Sequence, residues 1–473
     1  MSITSHTPKA IGIGIITVLF FIPSLMVQGL ISEREQRREA TVAEVSSKWG
    51  NAQTIAGPVL VVPYAVPSTN ADGTTSETIS NAFFLPEQLT TKGAVKTEIR
   101  SRGIYDVPVY DLAVTMSGNF KRIDTDAVNV PATRMKWDQA YVHLGIPDMR
   151  GVRDQASIAW AGSNRAFMPG SSIAGFTPGM RARVAVNQGQ ENYPFSFAIN
   201  LKGSQELAFL PLGKTSTVEL TGDWATPSFD GAFLPETHTV SDTGFTAQWK
   251  VLDLNRSFPQ QWTDSNPIAI DSTMTKNISP YQWTGGSFEG YQESQVAMDG
   301  RVAAAQPSAF GVRLFQPTDV YSQSDRAAKY AMAVIALVFA LVFFIEATSR
   351  RRVHPVQYVL IGLALVVFYT LLLSLAEYID FGWAYLIASV AIIGMVTAFT
   401  RRVTHDAWRG WVAGGTLAVL YGFVYVLLQL EDYTLLIGSI GLFAILGVLM
   451  AASNRVSWYA EEAPQEIPRG PVA

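Results

Sequence analysis

The sequence predicts a membrane protein of mixed α and β structure: an N-terminal transmembrane helix, a large all-β, sandwich-like domain, and a C-terminal bundle of five transmembrane helices. Apolar stretches lie at the start and in the last third of the chain, and a spanning helix needs about 20 such residues. Between them, residues 32–327 alternate short apolar runs with turn residues, as β-strands do. Charged residues make up only 16% of the 473 residues, whereas soluble proteins carry about 25%.

Six stretches have the length and apolar character of membrane spans, and they cover residues 10–31, 330–347, 355–375, 381–399, 411–430 and 433–452. We interpret the first as an uncleaved anchor. A cleaved signal peptide is the alternative, because Lys9 precedes the apolar run. That run is long for a signal sequence, however, and it is followed by charged residues from Glu33 onward rather than by a small-residue cleavage site.

The short loops between the last five stretches predict the orientation. Cytoplasmic loops keep an excess of basic residues. The loops alternate in charge along the chain. The first and third are rich in arginine, at Arg350, Arg351, Arg352, Arg401, Arg402 and Arg409, and the second and fourth are acidic, at Glu377, Asp380, Glu431 and Asp432. The chain then divides into residues 1–31 (cytoplasmic N-terminus and first helix), 32–327 (extracytoplasmic), 328–453 (helices two to six) and 454–473 (cytoplasmic tail). One cluster does not fit this orientation. Arg34, Arg37 and Arg38, with glutamates among them, follow the first stretch and so lie on its predicted outer side.

The extracytoplasmic domain contains an internal echo. Phe-Leu-Pro occurs at 84–86 and again at 209–211, and each copy is followed by Gly-x-aromatic-x-x-Pro-x-aromatic, at 103–110 and at 222–229. One interpretation is a duplicated β unit with lobes near 54–200 and 201–320. The other is chance recurrence of turn residues. Before this domain, residues 33–48 are predicted to continue the first helix outward.

Composition and motifs exclude several functions. The net charge of −4 argues against a nucleic-acid partner, which requires a basic face. There is no cysteine, and the five histidines are scattered, so disulfides are excluded and neither a metal site nor a cofactor is predicted. No serine-hydrolase elbow, zinc-protease motif or phosphate-binding loop occurs, so no catalytic residue is predicted.

Three local features have two interpretations each. The turn 148–151 is either a charged functional turn or a structural turn with a local ion pair, and we favour the second. The pair Gly410 and Gly414 is either a close-packing face or ordinary membrane-helix glycine. Glu346 and Glu377 lie at span ends, where we expect them to reach the membrane interface. Ion-conducting proteins usually keep charges at mid-membrane, so the position of these glutamates at span ends counts against a transporter function.

At the junction into the second span the residues become specific. Residues 324–331 (SDRAAKYA), 354–365 (HPVQYVLIGLAL) and 368–377, ending in SLAE, resemble the CreD family of inner-membrane proteins. The resemblance extends from the first to the sixth span. The family usually has histidine where this chain has Tyr378, so a proton-handling role there is in doubt. The motif positions, which we interpret as structural, are Arg102, Gly103, Tyr105, Asp148, Arg150, Gly151, Trp224, Pro227, Phe229, Trp249, Arg326, Lys329, Tyr330, His354, Pro355, Gln357, Tyr358 and Glu377.

The resemblance implies a multi-pass protein of the bacterial inner (plasma) membrane that is linked to cell-envelope integrity. We expect a non-enzymatic role in which the periplasmic domain binds or senses an envelope component. The expected partners are the lipid bilayer and an envelope protein or periplasmic ligand, with no nucleic acid. The alternative is a transporter or export accessory that uses the helix bundle. An enzyme acting on envelope polymers is a third hypothesis, for which the sequence shows no cleft of acidic residues.

Overall fold

The computed structural model describes residues 7–69, 75–171, 173, 177–264, 308–314, 320–347, 353–430 and 433–454. The expected features at Arg350 to Arg352, at Glu431 and Asp432, and in the tail after residue 454 lie outside these residues. The chain forms two compact units. The helical unit comprises residues 1–39 and 318–473, and the β unit comprises residues 40–317.

Eight α-helices run through the described chain: α1 (Thr7–Leu19), α2 (Phe21–Trp49), α3 (Val320–Lys329), α4 (Ala331–Ala347), α5 (Pro355–Ala376), α6 (Phe381–Thr404), α7 (Ala407–Gln429) and α8 (Thr434–Ser453). Five spans are long and apolar enough to cross a membrane, the first formed by α1 with α2. A sixth results if α3 and α4, bent by 43° at Tyr330, are counted as one. The predicted apolar helix at the start and the cluster of apolar helices at the end are therefore confirmed.

Close approaches of the backbone explain particular glycines of the helical unit. A Cβ on Gly362 of α5 would lie 2.5 Å from the ring of Phe20, at the junction of α1 and α2. Between α6 and α7, a Cβ on Gly410 would lie 2.8 Å from Arg401, and one on Gly414 would lie 2.2 Å from the Thr397 hydroxyl. The close-packing interpretation of these two α7 glycines is confirmed, since any larger residue would push the helices apart.

Two sheets build the β unit. Its strands are β1 (Gln53–Thr69), β2 (Thr75–Phe84), β3 (Gln88–Arg102), β4 (Tyr105–Lys121), β5 (Tyr141–Gly145), β6 (Ser157–Trp160), β7 (Ser163–Ala166), β8 (Met168–Ser171), β9 (Gly179–Arg183), β10 (Asn192–Ser204), β11 (Glu206–Phe209), β12 (Thr215–Gly222), β13 (Pro227–Gly231), β14 (Thr237–Ser241), β15 (Gly244–Leu252), β16 (Gln261–Thr263) and β17 (Phe310–Leu314). The nine-stranded sheet has the order β13-β17-β11-β1-β5-β9-β8, with β2 on β1 and β16 on β2. The eight-stranded sheet has the order β14-β15-β12-β3-β4-β10-β6-β7.

The two sheets share one core. Along β10 exposed and buried residues alternate almost without exception, because successive side chains of a strand point to opposite faces. Large aromatic side chains fill the interior, including Trp160, Trp249, Tyr110, Tyr193, Phe83 and Phe310, each no more than 2% exposed. Burial of this apolar area supplies the main driving force for folding, which a chain without cysteines needs.

The ranges suggested as two lobes, near 54–200 and 201–320, contribute strands to both sheets. Strand β1 pairs with β11 in parallel, and β3 pairs with β12 in parallel. Each Phe-Leu-Pro segment ends a strand of the nine-stranded sheet (β2 or β11) and leads to a strand of the eight-stranded sheet (β3 or β12). The paths then diverge, since β4 stays in the same sheet as β3 while β13 returns to the other sheet.

His143 on β5 makes the stability of the β unit depend on pH. Its side chain is fully buried and its Nε2 lies 3.1 Å from the Thr177 carbonyl oxygen. Burial lowers the pKa of His143 from 6.5 to about 4, so below pH 6.5 the unfolded chain takes up the proton more readily than the folded one. We expect the free energy of unfolding to fall by about 3 kcal/mol between pH 6.5 and pH 4 on account of this residue.

The measurement is the unfolding of the purified full-length protein at several pH values. In His143→Gln this part of the pH dependence should disappear, while the exposed-strand control His238→Gln should keep the wild-type slope. Equal slopes in all three proteins would show that His143 does not titrate as its burial requires.

Candidate functional site

The motif His354-Pro355-Val356-Gln357 begins helix α5. His354 is the N-cap, and its Nδ1 accepts a hydrogen bond from the backbone N–H of Val356 at 3.3 Å. Gln357 Oε1 accepts from the backbone N–H of His354 at 2.9 Å. Pro355 occupies the first helical position, where its missing N–H is not needed. These residues form a capping box, which satisfies N–H groups that a helix start otherwise leaves unpaired.

The next motif residue, Tyr358, binds a buried carboxylate. Its hydroxyl donates to Glu346 Oε2 at 2.9 Å, and the backbone N–H of Val353 donates to Glu346 Oε1 at 3.0 Å. Lys9 of α1 forms an ion pair with Glu346 Oε1, and its Nζ donates to the Val353 carbonyl oxygen at 2.6 Å. The Glu346 side chain is only 8% exposed. A buried carboxylate requires such partners, because it has lost its hydration.

Glu377 forms a second buried site at the other end of α5. Its side chain is 8% exposed, Arg34 of α2 lies 3.7 Å from its Oε1, and the Tyr321 hydroxyl of α3 donates to the same oxygen at 3.4 Å. The following residue, Tyr378, is 77% exposed. Tyr378 therefore faces outward from this unit, whereas the Glu377 side chain is enclosed by it.

Both glutamates lie at span ends, as predicted, and their carboxylates bind basic residues of the N-terminal helices. Whether they reach the membrane interface stays a prediction. Sequence reasoning missed these partners. Lys9 and Arg34 flank the first apolar run, and that flanking position was the available signal. We call the set Lys9, Glu346, Tyr358, Arg34, Glu377 and Tyr321 the helix-one clamp.

The motif residues at the start of the C-terminal bundle have separate roles. Arg326 donates to the carbonyl oxygen of Leu428 at 3.2 Å, near the C-terminus of α7, where a cation is favoured by the helix dipole. Lys329 forms an exposed ion pair with Asp325 at 2.8 Å. Tyr330 lies at the bend between α3 and α4.

In the β unit, the turn 148–151 holds the chain that follows helix α2. Asp148 accepts two hydrogen bonds from the Arg150 guanidinium, each at 2.8 Å, and one from the backbone N–H of Asn51 at 3.0 Å. The Arg150 hydrogen bonds lower the pKa of Asp148. Gln53 Nε2 donates to the Asp148 carbonyl oxygen at 3.0 Å, and a Cβ on Gly151 would lie 2.3 Å from the Lys202 carbonyl oxygen. The expected ion pair is thus present, in a turn that serves packing.

The remaining motif residues of the β unit lie in a hairpin and in the core. Gly103, with φ +63°, forms the turn between β3 and β4, and the flanking residues Arg102 and Tyr105 pair across it. Arg102 also forms an ion pair with Glu44 at 2.8 Å. The aromatic motif residues pack together at the edge of the core: the rings of Phe229 and Trp249 are 5.8 Å apart, Trp224 packs against the core, and Pro227 begins β13.

The structure therefore brings the motif residues to six separate places. Three lie in the helical unit: the two ends of α5 and the segment 326–330. Three lie in the β unit: the turn 148–151, the hairpin at Gly103 and the aromatic edge. Of these, the helix-one clamp has the chemistry of a functional site, because it joins two carboxylates at span ends to basic residues of the N-terminal helices. A carboxylate that has lost most of its hydration requires such partners.

Loss of one clamp contact tests its energetic role. We expect Tyr358→Phe to reduce the unfolding free energy of the helical unit by about 0.5–1.5 kcal/mol, the usual value for one hydrogen bond. We expect Lys9→Met to cost more, about 3 kcal/mol, because it leaves a buried carboxylate uncompensated. Unfolding of the full-length protein in detergent micelles provides the measurement, with Lys329→Met at an exposed ion pair as the control. Equal stability of Lys9→Met and Lys329→Met would contradict a buried charge pair.

Comparison with known proteins agrees with the motifs. The family model described as "Inner membrane protein CreD" matches residues 5–459. The chain is also similar to Inner membrane protein CreD of Escherichia coli (strain K12), with 27% identity over 455 residues, covering 95% of this chain and 92% of that protein. Together with the apolar helices at both ends, this match makes it a multi-pass membrane protein: the chain belongs to the CreD family of inner-membrane proteins.

Proposed function

We propose that this protein supports the integrity of the cell envelope without catalysis, with the β unit as a periplasmic binding or sensing module and the helices as its anchor and relay. The observation that carries the proposal is the helix-one clamp. It bonds the N-terminal helices to the bundle near both ends of α5. Helix α2 continues to Trp49, so the segment that enters the β unit is one that the bundle holds.

We further propose that both termini are cytoplasmic and the β unit periplasmic. The arginine-rich loops support this orientation. The clamp adds support, because Lys9 pairs near the start of α5 and Arg34 pairs at its end. Arg34 therefore belongs to the side of the acidic Glu377, and its charge is neutralised there. Because its charge is paired, Arg34 is compatible with an outer position, although the excess of basic residues otherwise marks the cytoplasmic side.

The alternative is a transporter or export accessory. Its support is the bundle of apolar helices and the presence of carboxylates within it. Each carboxylate, however, is already paired with a cation of the N-terminal helices, which favours anchoring over ion transfer. A cavity beside Thr400 in the helical unit has about 10 Å³, room for a single water molecule. Solute flux in proteoliposomes would favour the alternative.

Deletion and complementation test the proposed role. Cells that lack the protein should lose viability under envelope stress, and the wild-type chain should restore it. The double variant Lys9→Met with Arg34→Met should restore viability less at equal protein amount, because α1 and α2 have lost their ion pairs with the bundle. Lys329→Met should restore fully. Unchanged viability of the deletion strain under envelope stress would remove the support for this function.

The absence of cysteine allows a clean test of orientation. Single cysteines at Leu254, which is 88% exposed in the β unit, and at Tyr378 should react with an impermeant thiol reagent in intact spheroplasts. A cysteine at Arg402, exposed near the end of α6, should react only after lysis. Reaction at Arg402 but not at Leu254 in intact spheroplasts would reverse the orientation.

A further inference from the structure

We propose that the outer face of the eight-stranded sheet binds a short extended peptide that carries a carboxylate. This inference rests on the proposed function of the β unit and names a ligand class for it. An open trough of about 370 Å³ lies on this face, lined among others by Ala94, Ala113, Lys96 and Arg153. Ligand sites are concave and combine apolar surface with a few placed polar groups.

The strand register shows how the trough arises. Thr221 pairs with Ala94, Ala94 with Ala113, and Ala113 with Asn200, so these residues form one row across β12, β3, β4 and β10. All four are exposed. Two alanines in the middle leave a floor with almost no side chain. Four strands at about 4.8 Å spacing give this row a length of about 14 Å, which matches roughly four residues of extended peptide.

Charged rows form the two walls, each two residues away along the strands. On one side Lys96 pairs with Asp111, and Asp111 pairs with Lys202. On the other side Lys92 and Glu219 form an ion pair at 2.9 Å. Four residues of strand separate these two charged rows by about 13 Å, which leaves room between them for a peptide backbone with its side chains.

One wall has more positive than negative charge. Arg153 binds Asp111, with its Nη1 at 3.0 Å from Oδ1, and Lys202 lies over the indole of Trp49 at 3.7 Å. Among the residues that the structure describes, no hydrogen bond or ion pair is formed by the Lys96 ammonium. Asp111 and Asp154, which accepts a hydrogen bond from the Asn200 amide, can offset two of these three cations. The wall therefore keeps one net positive charge, which attracts an anion. A carboxylate is the anionic group of a peptide end.

The surroundings favour a peptide over a sugar. Sugar and base ligands use aromatic platforms, whereas the row from Thr221 to Asn200 presents methyl, hydroxyl and amide groups. The backbone N–H and C=O groups of an extended peptide can bond to such polar ends. The Asn200 amide already donates to Asp154 at 2.8 Å, which fixes the orientation of the Asn200 side chain at the β10 end of the trough.

The test is binding of N-acetyl tetra-alanine, as the free acid and as its C-terminal amide, to the full-length protein in micelles, followed by calorimetry. The free acid should bind the wild type, and the amide should bind more weakly. Lys96→Met should weaken binding of the acid by roughly two- to fivefold, as for an exposed ion pair. Ala113→Leu should remove it by filling the floor. Lys250→Met, an exposed lysine on the same face at β15, is the matched control and should bind as the wild type does.

Three results would overturn the inference: no binding of the acid by the wild type, equal binding of acid and amide, or unchanged binding by Ala113→Leu. The circular dichroism spectrum of Ala113→Leu should match the wild type, which separates a filled trough from misfolding. Complementation distinguishes this inference from the proposed function. If the deletion strain is sensitive to envelope stress while the wild type fails to bind the acid, the ligand class is wrong and the envelope role stands.

Discussion

The neutralisation of two buried carboxylates is the constraint on which the helical unit depends. Removing a carboxylate from water inside an apolar bundle costs several kcal/mol unless a cation and hydrogen-bond donors replace the water. Glu346 and Glu377 obtain their cations from Lys9 and Arg34, on either side of the first apolar run. The N-terminal helices must therefore pack against α5 for these charges to be tolerated. The two ion pairs fix this contact near both ends of α5.

The family motif serves that constraint. His354 and Gln357 cap the start of α5, and this sets the position of Tyr358 one residue later, where its hydroxyl meets Glu346. The motif thus combines the residues that start α5 with Tyr358, the hydrogen-bond donor to the buried Glu346 carboxylate. Its histidine acts through Nδ1 as a hydrogen-bond acceptor for the backbone, a structural role that requires no chemistry at the imidazole.

A different physical solution holds the β unit. Each of its two sheets contains strands from both halves of the β unit, and the two sheets enclose one aromatic core. The turn 148–151 binds the chain that follows α2. Trp49, the last residue of α2, is held by Arg100 and Lys202, whose cationic groups each lie 3.7 Å from the centre of its ring. The same register that builds the core sets the alanine row on the outer face, so packing and binding surface follow from one strand alignment.

The sequence by itself determined the apolar helices, the β character of the insertion, the family and the ion pair at Asp148, because hydrophobic period, turn residues and short spacings are local. Only the tertiary structure decided which strands pair, since β3 and β12 are far apart in the chain and nothing local encodes their parallel contact. It also decided that Glu346 and Glu377 turn inward. A glutamate at a span end can reach water or a partner, and the partner, more than three hundred residues away in each case, becomes visible only when the helices pack.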